Sequence, residues 1–96
     1  MRELLRALLS VPKGYVTTYK ALGEKFNVSP RQVGRILHTN THLEKYPCYK
    51  VVRSDGSIAV GYAGGGRAEQ IRRLKKDNVP FRNNRVDLDK ALSALD

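Results

Sequence analysis

The chain has 96 residues, 18 Lys and Arg against 9 Asp and Glu, one Cys and two His, and so a formal net charge of +9. One domain spanning 1–96 is expected, with a modest core that removes about 60–65% of the unfolded surface from water. A single Cys excludes an intramolecular disulfide framework, one Cys with two His excludes a closed zinc site, and no apolar run reaches the length of a membrane span.

The excess positive charge favours a nucleic-acid partner, because each Lys or Arg set on a phosphate releases a counterion. A ribosome-associated or merely basic soluble protein is the alternative on charge alone. Lone-thiol usage suits a reducing compartment. The first apolar stretch, Leu4 to Leu9, is broken by Arg6 and lacks a small-residue cleavage site. An intracellular protein, cytoplasmic or nuclear, with no membrane partner is therefore expected.

In chain order, Leu4, Leu5, Leu8 and Leu9 form one apolar stripe, which predicts a helix over residues 2–10 that ends before Pro12 and Gly14. Val16 to Thr18 reads as a short extended link. Thr18 is an N-cap candidate for a helix from Tyr19 to Phe26, with Asn27 in the left-handed position that closes it. After Val28, Ser29-Pro30 gives an N-cap followed by proline at the first helical position. The helix that follows runs to about Thr39, with Val33, Ile36 and Leu37 inward and Arg31, Gln32 and Arg35 outward. Two helices joined by so short a turn predict a helix-turn-helix. Gly34 lies mid-helix, where it costs about 1 kcal/mol relative to Ala; either packing or close approach to another backbone explains it.

Asn40 to Tyr46 reads as a polar loop leading to Pro47-Cys48-Tyr49-Lys50. Val51-Val52 and Ile58 to Val60, with a turn at Asp55-Gly56, predict a hairpin wing. A glycine-rich loop, Gly61 to Gly66, precedes a helix from Arg67 to Asp77 with Ile71 and Leu74 inward. A short second hairpin around Asn83-Asn84 and a weak helix from Asp89 to Leu95 complete a mainly α fold with a small β wing, winged-helix-like in type.

Several of these motifs resemble those of one family, the O6-alkylguanine-DNA alkyltransferases. Pro47-Cys48-Tyr49-Lys50-Val51-Val52 resembles its Pro-Cys-His-Arg-Val signature, and Arg31-Gln32-Val33-Gly34 its Arg-Ala-Val-Gly recognition helix. Gly14 to Tyr19 resembles its Gly-x-Val-x-x-Tyr, Gly61-Tyr62-Ala63-Gly64-Gly65 its Tyr-x-Gly-Gly loop, and Asn40 stands where the family has a hinge asparagine. The resemblance covers about residues 2–90, and the family's usual second, N-terminal domain has no counterpart in it. It implies a monomer that binds duplex DNA in the minor groove, flips out O6-alkylguanine and moves the alkyl group irreversibly to Cys48 without a cofactor or metal; other repair proteins are further candidate partners. Base flipping is needed because the target atom lies inside the duplex.

The resemblance also implies roles. Arg31 would fill the gap in the base stack, with Ser29, Thr18, Gln32, Gly34, Arg35 and Lys50 at the DNA surface. Tyr19 would push on the phosphate of the flipped nucleotide and offer its hydroxyl to the base, Tyr62 would wall the pocket, and backbone groups of Cys48, Val51 and Ala63 would read the guanine edge. Asn40 would hold the turn between helix and site. An unperturbed thiol is only a few per cent ionised at neutral pH, so Lys50, helix N-termini and the basic surface are expected to favour the thiolate. Where the family has His after the cysteine this chain has Tyr49, whose ordinary pKa near 10 makes it a poor base. Asp77 takes the place of the family's glutamate. Two further readings stay open: an alkyltransferase-like damage sensor that binds the lesion without transfer, and a winged-helix regulator in which Cys48 is an inert core residue.

Overall fold

The computed structural model describes residues 2–39, 45–58 and 65–93. Helix α1 (Arg2–Ala7) tightens into a 3-10 turn at Leu8–Ser10, where the Ser10 hydroxyl donates to the Ala7 carbonyl at 2.7 Å. A 3-10 turn advances each side chain further round the axis than an α-turn does. Leu4, Leu5 and Leu8 therefore stay buried while Leu9, expected on the same stripe, is 57% exposed.

The helix-turn-helix forms where the capping residues stand. Helix α2 (Tyr19–Phe26) starts at Thr18, whose hydroxyl accepts from the Ala21 amide at 3.0 Å, and ends at Asn27 with φ 55°. The Asn27 and Val28 amides both return to the Gly23 carbonyl. A Cβ on Gly23 would lie 2.6 Å from the Val28 carbonyl oxygen, so the turn closes only over a glycine. Helix α3 (Pro30–His38) opens with a reciprocal capping box: the Ser29 hydroxyl accepts from the Gln32 amide, and the Gln32 side-chain oxygen accepts from the Ser29 amide, each at 3.1 Å.

The sheets add a pairing between distant segments. Strand β2 (Val51–Val52) follows a 3-10 turn at Cys48–Lys50 and pairs in parallel with β1 (Thr17–Thr18), in the register Thr17 to Val51 and Thr18 to Val52. The expected turn at Asp55-Gly56 forms, closed by Arg53 N–H to the Ser57 carbonyl at 3.0 Å; residues 59–60 of the expected second strand lie outside the described ones. Helix α4 (Gly66–Lys76) ends at Asp77 and Asn78, the latter at φ 64°. Strands β3 (Phe81–Arg82) and β4 (Arg85–Val86) pair across Asn83 and Asn84, both at positive φ as a two-residue hairpin turn requires. The last helix, α5 (Leu88–Ala91), is shorter than expected, because the chain leaves it at Leu92 to bridge beside Val16.

Two apolar clusters meet at β2. Side chains alternate across a strand. Val51 joins Leu4, Leu8, Leu22, Val33 and Leu37 on the α1–α3 side, and Val52 joins Val16, Leu74, Val79 and Val86 on the α4 side. Thr17, fully buried in β1, has a hydroxyl with no hydrogen-bond partner among the described residues. Thr17→Val removes that uncompensated polar atom and is expected to raise unfolding stability by about 1 kcal/mol, read from the urea midpoint. A loss of stability would show that the hydroxyl is satisfied in solution.

Candidate functional site

The cysteine lies at the meeting point of α3 and the Cys48–Lys50 turn. Cys48 is 6% exposed, and its thiol faces the Leu37 carbonyl, in the last turn of α3, at 4.0 Å. Its own amide donates to the Tyr46 carbonyl at 2.8 Å. The three side chains of this 3-10 turn diverge. Cys48 joins the α1–α3 cluster, Tyr49 packs on the α4 side, and Lys50 crosses to the Val11 carbonyl, where Nζ donates at 2.7 Å.

Lys50 is therefore not at the DNA surface, and its ammonium is engaged at the Val11 carbonyl. It is buried, and that burial pushes its ammonium below the usual range, with Asp77 acting the other way. The helix end that the sulfur faces is the C-terminal end of α3, the negative end of the helix dipole.

Tyr49 is held at both ends. Its hydroxyl donates to Asp77 Oδ2 at 2.5 Å, and its carbonyl accepts from Gln70 Nε2 at 2.9 Å. The same Gln70 nitrogen donates to the Val51 carbonyl at 3.0 Å, so one buried side chain of α4 fixes the backbone on both sides of Lys50. A cavity of about 290 Å³ opens beside this pair, between Tyr49, Asp77 and the basic side chains Arg72, Arg73 and Lys76. Glu69 is paired with Arg72 and Arg73, which offsets part of that charge. Sequence reasoning missed Gln70. The available signal was a polar residue one helical turn before the inward Leu74.

A groove of about 540 Å³ runs along the outer face of α3, which contributes Pro30, Arg31, Gly34 and His38. Tyr19 and Lys20 of α2 and Arg53 and Ser54 of the Asp55-Gly56 turn complete it. Arg31, Gln32, Arg35 and Ser29 are exposed as expected, although the Gln32 oxygen is engaged in the capping box. Thr18 is buried and caps α2, and Val51 is buried in β2. A Cβ on Gly34 would meet nothing within 4 Å, so the glycine answers no packing need inside the protein and leaves the groove floor low.

Tyr19 joins groove and cysteine. Burial raises its hydroxyl above the ordinary value, the Arg53 guanidinium pulls it down, and the Cys48 thiol adds to the rise. The phenol therefore stays protonated at neutral pH, a hydrogen-bond donor on the groove wall that packs against the cluster holding Cys48. Asn40, Tyr62 and Ala63, expected at the hinge and pocket, lie outside the described residues.

The model of the DNA-binding domain of 6-O-methylguanine DNA methyltransferase matches residues 1–79. A bifunctional methyltransferase/endonuclease of Picrophilus torridus is 43% identical over 89 residues, covering 88% of this chain and 28% of the relative. The O6-methylguanine-DNA methyltransferase structure from Pyrococcus kodakaraensis superposes with a TM-score of 0.70 at 34% identity, over 81% of this chain and 45% of that one. S. pombe Atl1, solved with damaged DNA containing O6-carboxymethylguanine, superposes over 97% of this chain and 96% of its own with a TM-score of 0.81; at 22% identity that likeness concerns the fold. The chain thus spans less than half the length of the Picrophilus and Pyrococcus relatives.

Proposed function

This chain belongs to the O6-methylguanine-DNA methyltransferase family of DNA-repair proteins, and on that premise we propose that it repairs O6-alkylguanine in duplex DNA by taking the alkyl group onto Cys48. The observation that carries the reading is the placement of the one thiol in the cluster on which Tyr19 packs, against the end of the helix whose outer face forms a basic groove. DNA docks on α3, Arg31 enters the base stack, and the displaced guanine passes Tyr19 toward the sulfur. Gly34 lets the helix approach the duplex backbone.

The thiol gives up its proton, the sulfur attacks the alkyl carbon, and the carbon–O6 bond breaks as the carbon–sulfur bond forms. Guanine takes a proton at N1 and leaves restored. The S-alkyl cysteine has no route back, so each molecule acts once. Tyr49 and Asp77 receive the thiol proton, Asn40 holds the turn that joins helix to site, and Tyr62, Ala63 and Val51 surround the base.

A second reading, lesion binding without transfer, is favoured by what the sulfur faces, the Leu37 carbonyl at the C-terminal end of α3, while the Lys50 ammonium is engaged at the Val11 carbonyl. Intact mass spectrometry after incubation with duplex containing O6-methylguanine separates the two. A gain of one methyl group per chain is expected. No gain with selective lesion binding would identify a damage sensor, and no gain with no lesion preference would remove both readings.

A further inference from the structure

We propose that Arg53 is a second cationic grip on the DNA backbone, set across the groove from Arg31 and placed to hold the phosphate beside the displaced nucleotide. The inference rests on the DNA-binding reading above and adds a residue that no motif of the family resemblance picks out.

Four observations carry it. Arg53 is exposed and lines the same groove as Arg31 and Tyr19. Its backbone is fixed on both sides: its amide donates to the Ser57 carbonyl at 3.0 Å, and its carbonyl accepts from the Gly56 amide at 2.8 Å. The turn itself is fastened to the second hairpin, since the Val86 amide donates to the Gly56 carbonyl at 2.9 Å. A Cβ on Gly56 would lie 2.3 Å from the Val86 carbonyl oxygen, so this close docking of turn on strand needs the glycine. The guanidinium therefore rises from a rigid base.

Its charge is also unclaimed by any acid among the described residues. Asp55, two positions on, accepts from Ser57 and faces Arg85 at 3.7 Å instead, and the other ion pairs join Glu69 to Arg72 and Arg73. The fourth observation is the place of Tyr19, which lines the groove with Arg53 and packs against the apolar cluster that holds Cys48. A nucleotide whose base goes past Tyr19 to the sulfur leaves its phosphate on the Arg53 side. The planar guanidinium can take two phosphate oxygens at once, and the adjacent Ser54 lies in the same groove.

The test is DNA binding by fluorescence anisotropy across a salt series, with undamaged duplex and with duplex containing O6-methylguanine. The proteins are the wild type, Arg53→Gln, Arg53→Lys and, as a control off the groove, Arg85→Gln. Arg53→Gln is expected to lower the slope of log K against log salt by about 0.9, one phosphate contact. Arg53→Lys restores the slope, Arg85→Gln leaves it unchanged, and the affinity lost in Arg53→Gln is larger on the damaged duplex. A merely structural role would not move the slope. An unchanged slope in Arg53→Gln with intact wild-type binding overturns the assignment alone, and equal losses on the two duplexes overturn its placement beside the displaced nucleotide. No DNA binding by the wild type overturns this inference together with the reading beneath it.

Discussion

Cys48→Ala is expected to abolish alkyl transfer from O6-methylguanine while leaving the fold and lesion binding in place. No other side chain in the sequence offers a thiol, so no second acceptor of the same chemistry exists. The fold should survive because Cys48 behaves as a small buried hydrophobe among Leu22, Val33, Leu37 and Val51. The contact of its thiol with the Leu37 carbonyl, at 4.0 Å, is too long to contribute much. Alanine removes one heavy atom there, a cost of about 1 kcal/mol. Binding should persist because the groove is lined by other residues, with Tyr19 and Arg31 among them. The measurement is transfer of a labelled methyl group to protein, run beside anisotropy on the same duplex. Label still reaching the alanine variant would place the acceptor elsewhere, and parallel loss of binding and transfer would make Cys48 a structural residue.

The parts of this molecule that are local in sequence were legible, and the parts made by distant contact were not. Thr18, Asn27 and Ser29-Pro30 each act within one turn of themselves, so the helix-turn-helix follows from the order of residues. The outward placement of Arg31, Gln32 and Arg35 follows from helical periodicity alone. The pairing of Thr17 with Val51 joins segments far apart in the chain, and nothing in either segment names its partner.

Lys50 shows the same limit within three residues. Adjacency to Cys48 suggested a cation beside the sulfur. A turn with three residues per revolution sends Cys48, Tyr49 and Lys50 in three directions, so adjacency is what separates them. Gln70 was invisible for a related reason: its partners are two backbone carbonyls, which carry no mark in the sequence. The roles of Asn40, Tyr62 and Ala63 rest on the family resemblance.

The second large effect is expected at Tyr49. Tyr49→Phe should slow transfer about 100-fold with lesion binding unchanged, the lower end of what a positioned acid–base group contributes. The thiol must lose a proton for sulfur to attack, and the residue that follows Cys48 in the chain carries a phenol that ends on a carboxylate, at 2.5 Å from Asp77 Oδ2. A phenol is a poor base alone. Donating to Asp77, it can pass its own proton on as it takes another.

The pair also differs from the family's in a compensated way. Tyrosine reaches further than histidine, and Asp77 is shorter than the family's glutamate. Tyr49→His alone should therefore leave the imidazole short of Asp77 and transfer at least about 10-fold slow, despite a pKa nearer neutrality. Tyr49→His with Asp77→Glu should return the rate to within a few-fold of the wild type, a non-additive cycle of the kind expected for residues in contact. Single-turnover kinetics on labelled duplex give all four rates. Transfer by Tyr49→Phe at the wild-type rate would reduce the Tyr49–Asp77 bond to a brace between the cysteine turn and the end of α4, and additive effects in the double variant would show that the two substitutions do not compensate for each other.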